Sequence, residues 1–190
     1  MPPAGHPTEV EGEAVTAYGT RVILRSITPD DASRLVDFHR GLSPRSVYRR
    51  FFFAHPTLAD AEIERFTEVN HVDRVALVAV VAGQLVAVGR YERAPGSMQA
   101  EVAFVVADDY QHHGLAPLLL GRLAEVARQN GIAVFTAETL VENSDMIGVF
   151  QHSGFPVTTH SEFGIVSVRC SIGVPARAFA ARPSVAGHSG

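Results

Sequence analysis

The chain has 190 residues, of which 46% are hydrophobic and 19% charged, a composition typical of a globular protein with one folded core. Its formal net charge of -4 is spread along the sequence without a basic block, which excludes the phosphate-neutralising surface of a nucleic-acid-binding protein. The longest apolar run, residues 75–82, is far shorter than the roughly 20 residues of a membrane span, and residues 1–18 lack the features of a secretory signal, so we expect a cytoplasmic protein that binds neither nucleic acid nor membrane.

Regular elements are predicted between residues 19 and 172. Both ends of the chain, residues 1–18 and 173–190, are rich in Gly, Pro, Ala and Ser. Such segments bury too little apolar surface to offset the entropy cost of ordering. We therefore expect one domain over residues 19–172, with a flexible N-terminal segment and a flexible C-terminal tail.

Hydrophobic periodicity and turn residues predict the order of elements within this domain. In chain order they are a strand (21–27), three helices (beginning near residues 28, 43 and 60), three strands (75–82, 85–91 and 100–107), a helix (115–131), a strand (132–139), a short helix (144–152) and a hairpin (157–172). Gly83-Gln84 is a hairpin signal between the second and third strands, which suggests an antiparallel meander. The order predicts an α/β (α+β) domain whose mixed, mostly antiparallel sheet is flanked by helices on both faces.

The segment 108–116 joins an apolar strand to a helix and is a candidate anion site. Backbone amides at a helix N-terminus lack intrahelical partners, and the helix dipole adds partial positive charge, so a pyrophosphate fits there. Gly114 allows a close backbone approach that a side chain would block, and Ala116 keeps a nearby position small. From the residues alone an ordinary tight connection is equally open, while the dinucleotide fingerprint and the Walker lysine are excluded because their residues are missing.

Two motifs in this order resemble the GNAT N-acetyltransferase superfamily. Residues 111–116, with the sequence QHHGLA, match the Gln/Arg-x-x-Gly-x-Gly/Ala signature whose loop holds the pyrophosphate of CoA. Residues 143–155 resemble the second motif of that superfamily, in which an Asn and a short helix line the cofactor. Residues 42–52 and 73–80 resemble a subgroup, the bacterial Pat-type protein lysine acetyltransferases. The resemblance implies a GNAT-type sheet and acetyl-CoA as cosubstrate.

The resemblance also implies which residues contact the cofactor. The backbone of residues 104–106 would pair with the pantetheine arm like an added strand and leave an amide for the developing oxyanion. Many GNAT enzymes have a tyrosine in the second motif to protonate the leaving thiolate, whereas this chain has a phenylalanine there and needs no acid if the thiolate leaves as an anion. The implied cofactor-binding residues are Phe104, Val105, Val106, Gln111, His112, His113, Gly114, Leu115, Ala116, Asn143 and Phe150.

Glu101 is the candidate general base. An amine such as lysine, with a pKa of about 10.4, must lose its proton before attack, at a cost of about 4.6 kcal/mol at pH 7. Glu101 begins an apolar strand whose neighbours would disfavour its charged form. Protein-acetylating GNAT enzymes commonly have a glutamate on this strand about ten residues before the loop, as Glu101 stands before Gln111. The alternative is that Glu101 begins an edge strand and points at solvent.

Other polar residues receive weaker interpretations. His112 and His113 would strengthen CoA binding at acidic pH as they protonate, or they are a surface pair without a role. The histidines show no metal-ligand spacing, so no metal is predicted. Arg49 and Arg50 can reach an acidic substrate or a phosphate, but we favour a solvated helix face. Cys170 is interpreted as a core residue of a late strand rather than a nucleophile.

These observations predict an acetyl-CoA-dependent N-acetyltransferase. The favoured acceptor is a lysine of a protein such as an acyl-CoA synthetase, which attacks the thioester directly. The alternatives are a small-molecule amine acetyltransferase and a non-catalytic acyl-CoA-binding regulatory module. The acyl group is open between acetyl and longer chains, because one methylene is worth only about 1–3 kcal/mol in a pocket. The oligomeric state is open too, with a homodimer as one option.

Overall fold

A computed structural model describes residues 7–173 as one sheet with helices on both faces. The strands are β1 Gly12–Val15, β2 Arg21–Ser26, β3 Arg74–Val81, β4 Gln84–Glu92, β5 Gln99–Val106, β6 Val134–Leu140, β7 Val157–Glu162 and β8 Ile165–Ser171. The α-helices are α1 Ala32–Arg40, α2 Pro44–Phe51, α3 Asp60–Thr67, α4 Leu115–Gln129 and α5 Ser144–Gln151. Single turns of 3-10 helix occupy Thr8–Val10, Pro29–Asp31 and Asp108–Tyr110.

The eight strands follow the order β1-β2-β3-β4-β5-β6-β8-β7. Every neighbouring pair is antiparallel except β5 and β6, which are parallel. The predicted class, a mixed and mostly antiparallel sheet with helices on both faces, is confirmed. The turn between β3 and β4 is Ala82-Gly83, one residue earlier than predicted, and both residues have positive φ.

The core lies on both faces of the sheet. On one face α4 and α5 contribute Leu119, Leu123 and Phe150, and on the other α1 and α2 contribute Leu35, Phe38 and Val47. Successive residues of β3 pack alternately on the face covered by α4 and α5 and on the face covered by α1 and α2. Because β3 is buried on both faces, it carries an uninterrupted apolar run rather than an alternating one.

Gly89 on β4 allows α4 to lie close to the sheet. A Cβ at this position would stand 3.0 Å from a ring carbon of Phe104 and 3.1 Å from Cβ of Leu119. Leu123 would be 3.2 Å away. Because closely packed interiors leave no space for an added methyl group, glycine here sets the distance between α4 and the centre of the sheet.

The prediction of a flexible segment over residues 1–18 is wrong for its second part. Strand β1 pairs with β2, with Gly12 opposite Leu24, and Val10 is buried in the core beneath it. No local alternation signals this strand, because three of its four residues are exposed. It is held by pairing with β2, a tertiary contact. Residues 1–6, and residues 174–190 of the predicted tail, lie outside the described part of the chain.

Candidate functional site

A gap opens between β5 and β6 in the middle of the sheet. The two strands pair only from Gln99 opposite Val134 to Glu101 opposite Thr136. Beyond that point β5 stays paired with β4, and β6 stays paired with β8, while the two strands separate from each other. Since each strand leaves one edge unpaired, the gap can accept an extended chain as an additional strand.

The backbone of β5 faces the gap at alternate residues. The amide of Ala107 donates to the carbonyl of Val86 at 2.8 Å, which identifies Ala107 as hydrogen-bonded toward β4. Alternation along an antiparallel ladder then directs the groups of Phe104 and Val106 to the gap, and those of Val105 to β4. The structure therefore leaves the backbone groups of Phe104 and the amide of Val106 available to an extended ligand. The carbonyl of Val106 already accepts a hydrogen bond from Gln111, and the backbone of Val105, also predicted to bind the arm, is paired with β4.

The loop at the mouth of the gap leads directly into helix α4. Within residues 7–173, the backbone amides of residues 112–116 donate no hydrogen bond, and no side chain caps the helix. Leu115 and Ala116 are the first residues of α4, so their amides have no intrahelical acceptor. Both residues also line the cleft formed by the gap. These unpaired amides at a helix N-terminus fit a pyrophosphate.

Gly114 has a φ of +80° and lies directly beneath Tyr18. A Cβ on Gly114 would stand 3.0 Å from the Cδ2 atom of Tyr18 and 3.3 Å from Cβ of Thr16. Both the backbone conformation and the lack of space therefore require glycine. Tyr18 lines the cleft and is 75% exposed, whereas the sequence pattern indicated no role for this residue because it falls in the segment predicted to be flexible.

Gln111 fastens the loop rather than reaching into it. Its Nε2 atom donates to Oγ of Ser46 at 2.9 Å and to the carbonyl of Val106 at 3.3 Å. Ser46 in turn donates to Asp108 at 2.9 Å, and Ser43 donates to the same carboxylate through its amide and its hydroxyl. Burial alone would raise the pKa of Asp108, but these hydrogen bonds hold it below its usual value. The network ties α2 to the loop.

The second predicted motif forms the opposite wall of the cleft. Asn143 is buried, and its Oδ1 atom accepts a hydrogen bond from the amide of Met146 at 3.4 Å, which caps α5. Phe150 is 1% exposed, and its ring centroid lies 6.2 Å from that of Phe104. Both residues line the cleft. The absence of a hydroxyl on Phe150 leaves this position without a proton donor.

The two loop histidines diverge. His112, at a φ of 62°, lines the cleft, whereas His113 does not. His113 instead lies with its Nδ1 atom 3.3 Å from Oγ1 of Thr20, and its ring packs on Tyr110. Of the pair, only His112 can therefore contact an anion bound in the cleft.

Glu101 lies at the point where β5 and β6 part, and its side chain is exposed. The sequence predicted apolar surroundings for this carboxylate, but the charges of Arg50 and Arg90 act on it in the structure. Glu101 also stands opposite Glu92 on β4. It lines the cleft, on the sheet face covered by α1, α2 and α3.

The prediction that Arg49 and Arg50 form a solvated helix face is wrong. The side chain of Arg49 is 15% exposed and bridges the cleft from α2 to Asp145 of α5 at 3.4 Å. Arg50 is half-buried, and both arginines line the cleft. Residues 49 and 50 face inward because α2 packs on β5 and lies near β6.

The cleft measures about 560 Å³, within the range of ligand sites. Two buried polar atoms on its wall, Nε of Arg49 and Oγ1 of Thr139, find no hydrogen-bond partner within the described residues. Buried polar atoms are normally paired, so a polar ligand fits this wall. Among residues 7–173 no group of His, Cys, Asp and Glu can hold a metal ion, and no helix is long and apolar enough to cross a membrane.

The chain is similar to several acetyltransferases. It is 31% identical over 153 residues to Acetyltransferase Pat of Mycolicibacterium smegmatis, which covers 78% of this chain and 45% of that protein. The GNAT domain of PAT from S. lividans is 39% identical, with a TM-score of 0.80 over 89% of this chain and 98% of that one. The structure of yncA from Salmonella typhimurium, solved with its cofactor acetyl-CoA, shares the fold at 18% identity and a TM-score of 0.66, covering 83% of this chain and 96% of that one.

The chain spans 45% to 63% of the length of the curated relatives it matches. The family model described as "Acetyltransferase (GNAT) domain" matches residues 21–156, which include β5, the candidate anion-binding loop, α4 and α5. Sequence match, fold and the architecture of the cleft agree, and the chain belongs to the GNAT acetyltransferase family.

Proposed function

We propose that this chain is an acetyl-CoA-dependent N-acetyltransferase that acetylates a lysine side chain of a protein such as an acyl-CoA synthetase. The observation that carries the proposal is the gap between β5 and β6, which has unpaired amides at its mouth and Glu101 at its apex. About 17 Å of strand separate Glu101 from Val106, enough for an extended arm between a bound pyrophosphate and the reacting carbonyl. The similarity to Pat-type acetyltransferases supports the protein acceptor.

In this reaction the protein binds and orients the cosubstrate. The amides of Leu115 and Ala116 would hold the pyrophosphate, and the outward backbone groups of Phe104 and the amide of Val106 would pair with the pantetheine arm. Acetyl-CoA supplies the thioester, and an unpaired amide of β5 stabilises the oxyanion that forms when the amine attacks. The thiolate then leaves as an anion, since Phe150 offers no proton.

Glu101 acts as the general base in this proposal. It stands at the apex of the gap, on the side where the arm of the cosubstrate would end. Because the carboxylate is exposed, it can receive a proton from the incoming ammonium directly or through one water molecule. A cytoplasmic location and a homodimer remain predictions from the sequence.

The test measures thiol release from acetyl-CoA with an acyl-CoA synthetase as acceptor, in parallel with a panel of small amines. The only cysteine, Cys170, is buried, and burial raises its pKa to about 11. The thiol of the protein therefore does not contribute to the measured thiol signal. We expect Glu101→Gln to lower turnover by about 100-fold or more while acetyl-CoA affinity stays unchanged. Glu13→Gln, an exposed glutamate on β1, is the matched control.

Unchanged turnover in Glu101→Gln would refute the role of this residue as base. Transfer to small amines alone would move the acceptor from proteins to small molecules and leave the cosubstrate in place. Binding of acetyl-CoA without transfer to any acceptor would instead support a regulatory binding module.

A further inference from the structure

Arg50 on α2 is a half-buried cation that contacts no carboxylate directly, although the charge of Glu101 acts on it from nearby. Within residues 7–173 it makes no hydrogen bond and no ion pair, and its guanidinium lies 5.0 Å from the ring centroid of Phe51. Burial, with repulsion from Arg90, lowers its pKa to about 10, so the group stays charged at neutral pH. Removing a charge from water without a counter-ion is costly. The position is therefore suited to an anion.

Arg90 on β4 is a second cation at the same place. Its guanidinium carbon lies 4.4 Å from the ring centroid of Phe66. Its only carboxylate partner among the described residues is Glu92, at 3.2 Å, and Glu92 is shared with Arg65 of α3. With Glu101, whose charge also acts on this group, two carboxylates face the three guanidinium groups of Arg50, Arg65 and Arg90, which leaves hydrogen-bond donors and one positive charge unused beside Arg50.

The two arginines meet at a small cavity of about 40 Å³ beneath α1 and α3. The cavity shares Arg50, Ala103 and Val105 with the larger cleft, so the two spaces adjoin along β5. Apart from the arginines, the only titratable residue on its wall is His39, whose ring nitrogen lies 2.6 Å from the carbonyl of His55. An anionic group that enters from the cleft would thus meet two cations on the wall of the cavity, while the carboxylates of Glu92 and Glu101 lie outside its lining.

We propose that Arg50 and Arg90 form a carboxylate-binding site beside Glu101, so that the preferred acceptor is an amine with a carboxylate nearby. The inference rests on the proposed function, because it needs an acceptor amine at Glu101. Arg90 stands opposite Ala103 and hence diagonally across the β4–β5 ladder from Glu101, a spacing of about 7–8 Å. Guanidinium groups bind carboxylates through paired hydrogen bonds, which gives the site its selectivity.

The carboxylate has two sources, an acidic side chain next to the lysine of a protein or the amine molecule itself. The first arm of the test therefore compares lysine peptides whose neighbouring residue is Glu or Gln. The second arm compares free glutamate with glutaminamide, in which both carboxylates are replaced by amides. We expect kcat/KM to favour the acidic member by about 10- to 100-fold in at least one arm, the range for charge-assisted hydrogen bonds. The arm with the larger ratio identifies the source.

Three variants assign the preference to this site. In Arg50→Gln and Arg90→Gln the ratio of kcat/KM for the acidic acceptor to that for the neutral acceptor should fall to within about 3-fold of unity, mainly through a higher KM for the acidic acceptor. Arg45→Gln, an exposed arginine on the same helix, should keep the full ratio. A ratio near unity in the wild-type protein, or one that survives Arg50→Gln, would overturn the proposal.

Failure of the proposed function has a different signature. If no acceptor is acetylated while acetyl-CoA still binds, the carboxylate site can be tested separately by calorimetric titration of glutarate into the CoA-saturated protein. Binding that weakens by 10-fold or more in Arg50→Gln but not in Arg45→Gln supports the carboxylate site on its own. Absence of glutarate binding to the wild-type protein refutes it.

Discussion

Replacing Gly114 with alanine should damage the candidate anion-binding loop in a measurable way. The residue has a φ of +80°, and the left-handed conformation costs a residue with a Cβ about 1–2 kcal/mol. The new methyl group would also stand 3.0 Å from the ring of Tyr18 and 3.3 Å from Thr16. Tyr18 is 75% exposed and can swing aside, but Thr16 is 5% exposed, so the loop itself must move. We expect a total loss of about 2 kcal/mol in the free energy of unfolding.

A shift of the loop should affect ligand binding more than stability. The amides of Leu115 and Ala116 follow Gly114 directly, so a displacement there misaligns the donors offered to the pyrophosphate. We expect CoA affinity to fall by about 10-fold or more, which corresponds to the loss of one charge-assisted hydrogen bond. Calorimetric titration with CoA measures the affinity, and urea unfolding followed by circular dichroism measures stability, since the chain has no tryptophan.

The matched control is Gly83→Ala. Gly83 also has a φ of +80°, but it lies in the β3–β4 turn, away from the cleft, and a Cβ there would meet nothing within 4 Å. This variant should lose about 1–2 kcal/mol of stability through backbone strain alone and bind CoA normally. Equal CoA affinities in the two variants would refute the reasoning, because backbone strain without displacement would then account for both.

Two further predictions concern carboxylates. Burial would raise the pKa of Asp31, but hydrogen bonds from Arg25 lower it to about 2. The ion pair should therefore contribute about 2 kcal/mol of stability above pH 4, which is lost as the pH falls from about 4 to 2. Urea unfolding at a series of pH values should show this loss in the wild-type protein and not in Asp31→Asn. Asp108→Ala removes the acceptor that ties α2 to the loop and should weaken CoA binding several-fold and cost about 1 kcal/mol, whereas Asp109→Ala next to it should change neither quantity.

Much of the fold followed from local pattern. The hairpin of β3 and β4 and the helix α4 agree with the prediction to within a few residues, because periodicity and turn residues are encoded locally. Strand β1 was missed because its four residues carry no alternation and are held by β2. The role of Gln111 was missed for a related reason, since its partner Ser46 is 65 residues away in the sequence.

Burial of the arginines was the other failure. A helix with Arg49 and Arg50 side by side is typical of a solvated surface, and only the packing of α2 on β5 turns both residues inward. Whether a cation near a site has a counter-ion is a property of the whole fold. That Arg50 has no directly bound counter-ion, while the charge of Glu101 acts on it from nearby, follows from the tertiary packing and not from the sequence pattern.

The short seam between β5 and β6 has a thermodynamic consequence. Strands β1 to β5 and strands β6 to β8 share backbone pairing only over the short stretch from Met98 to Glu101, so the sheet consists of two blocks with a narrow joint. A cosubstrate lying in the gap would touch both blocks and brace them where the protein does not. Binding of the cosubstrate would then also stabilise the fold. At a concentration 100 times Kd, it would add about 2.7 kcal/mol to the free energy of unfolding. The concentration of acetyl-CoA would thus affect the stability of the protein against unfolding as well as its rate of acetyl transfer.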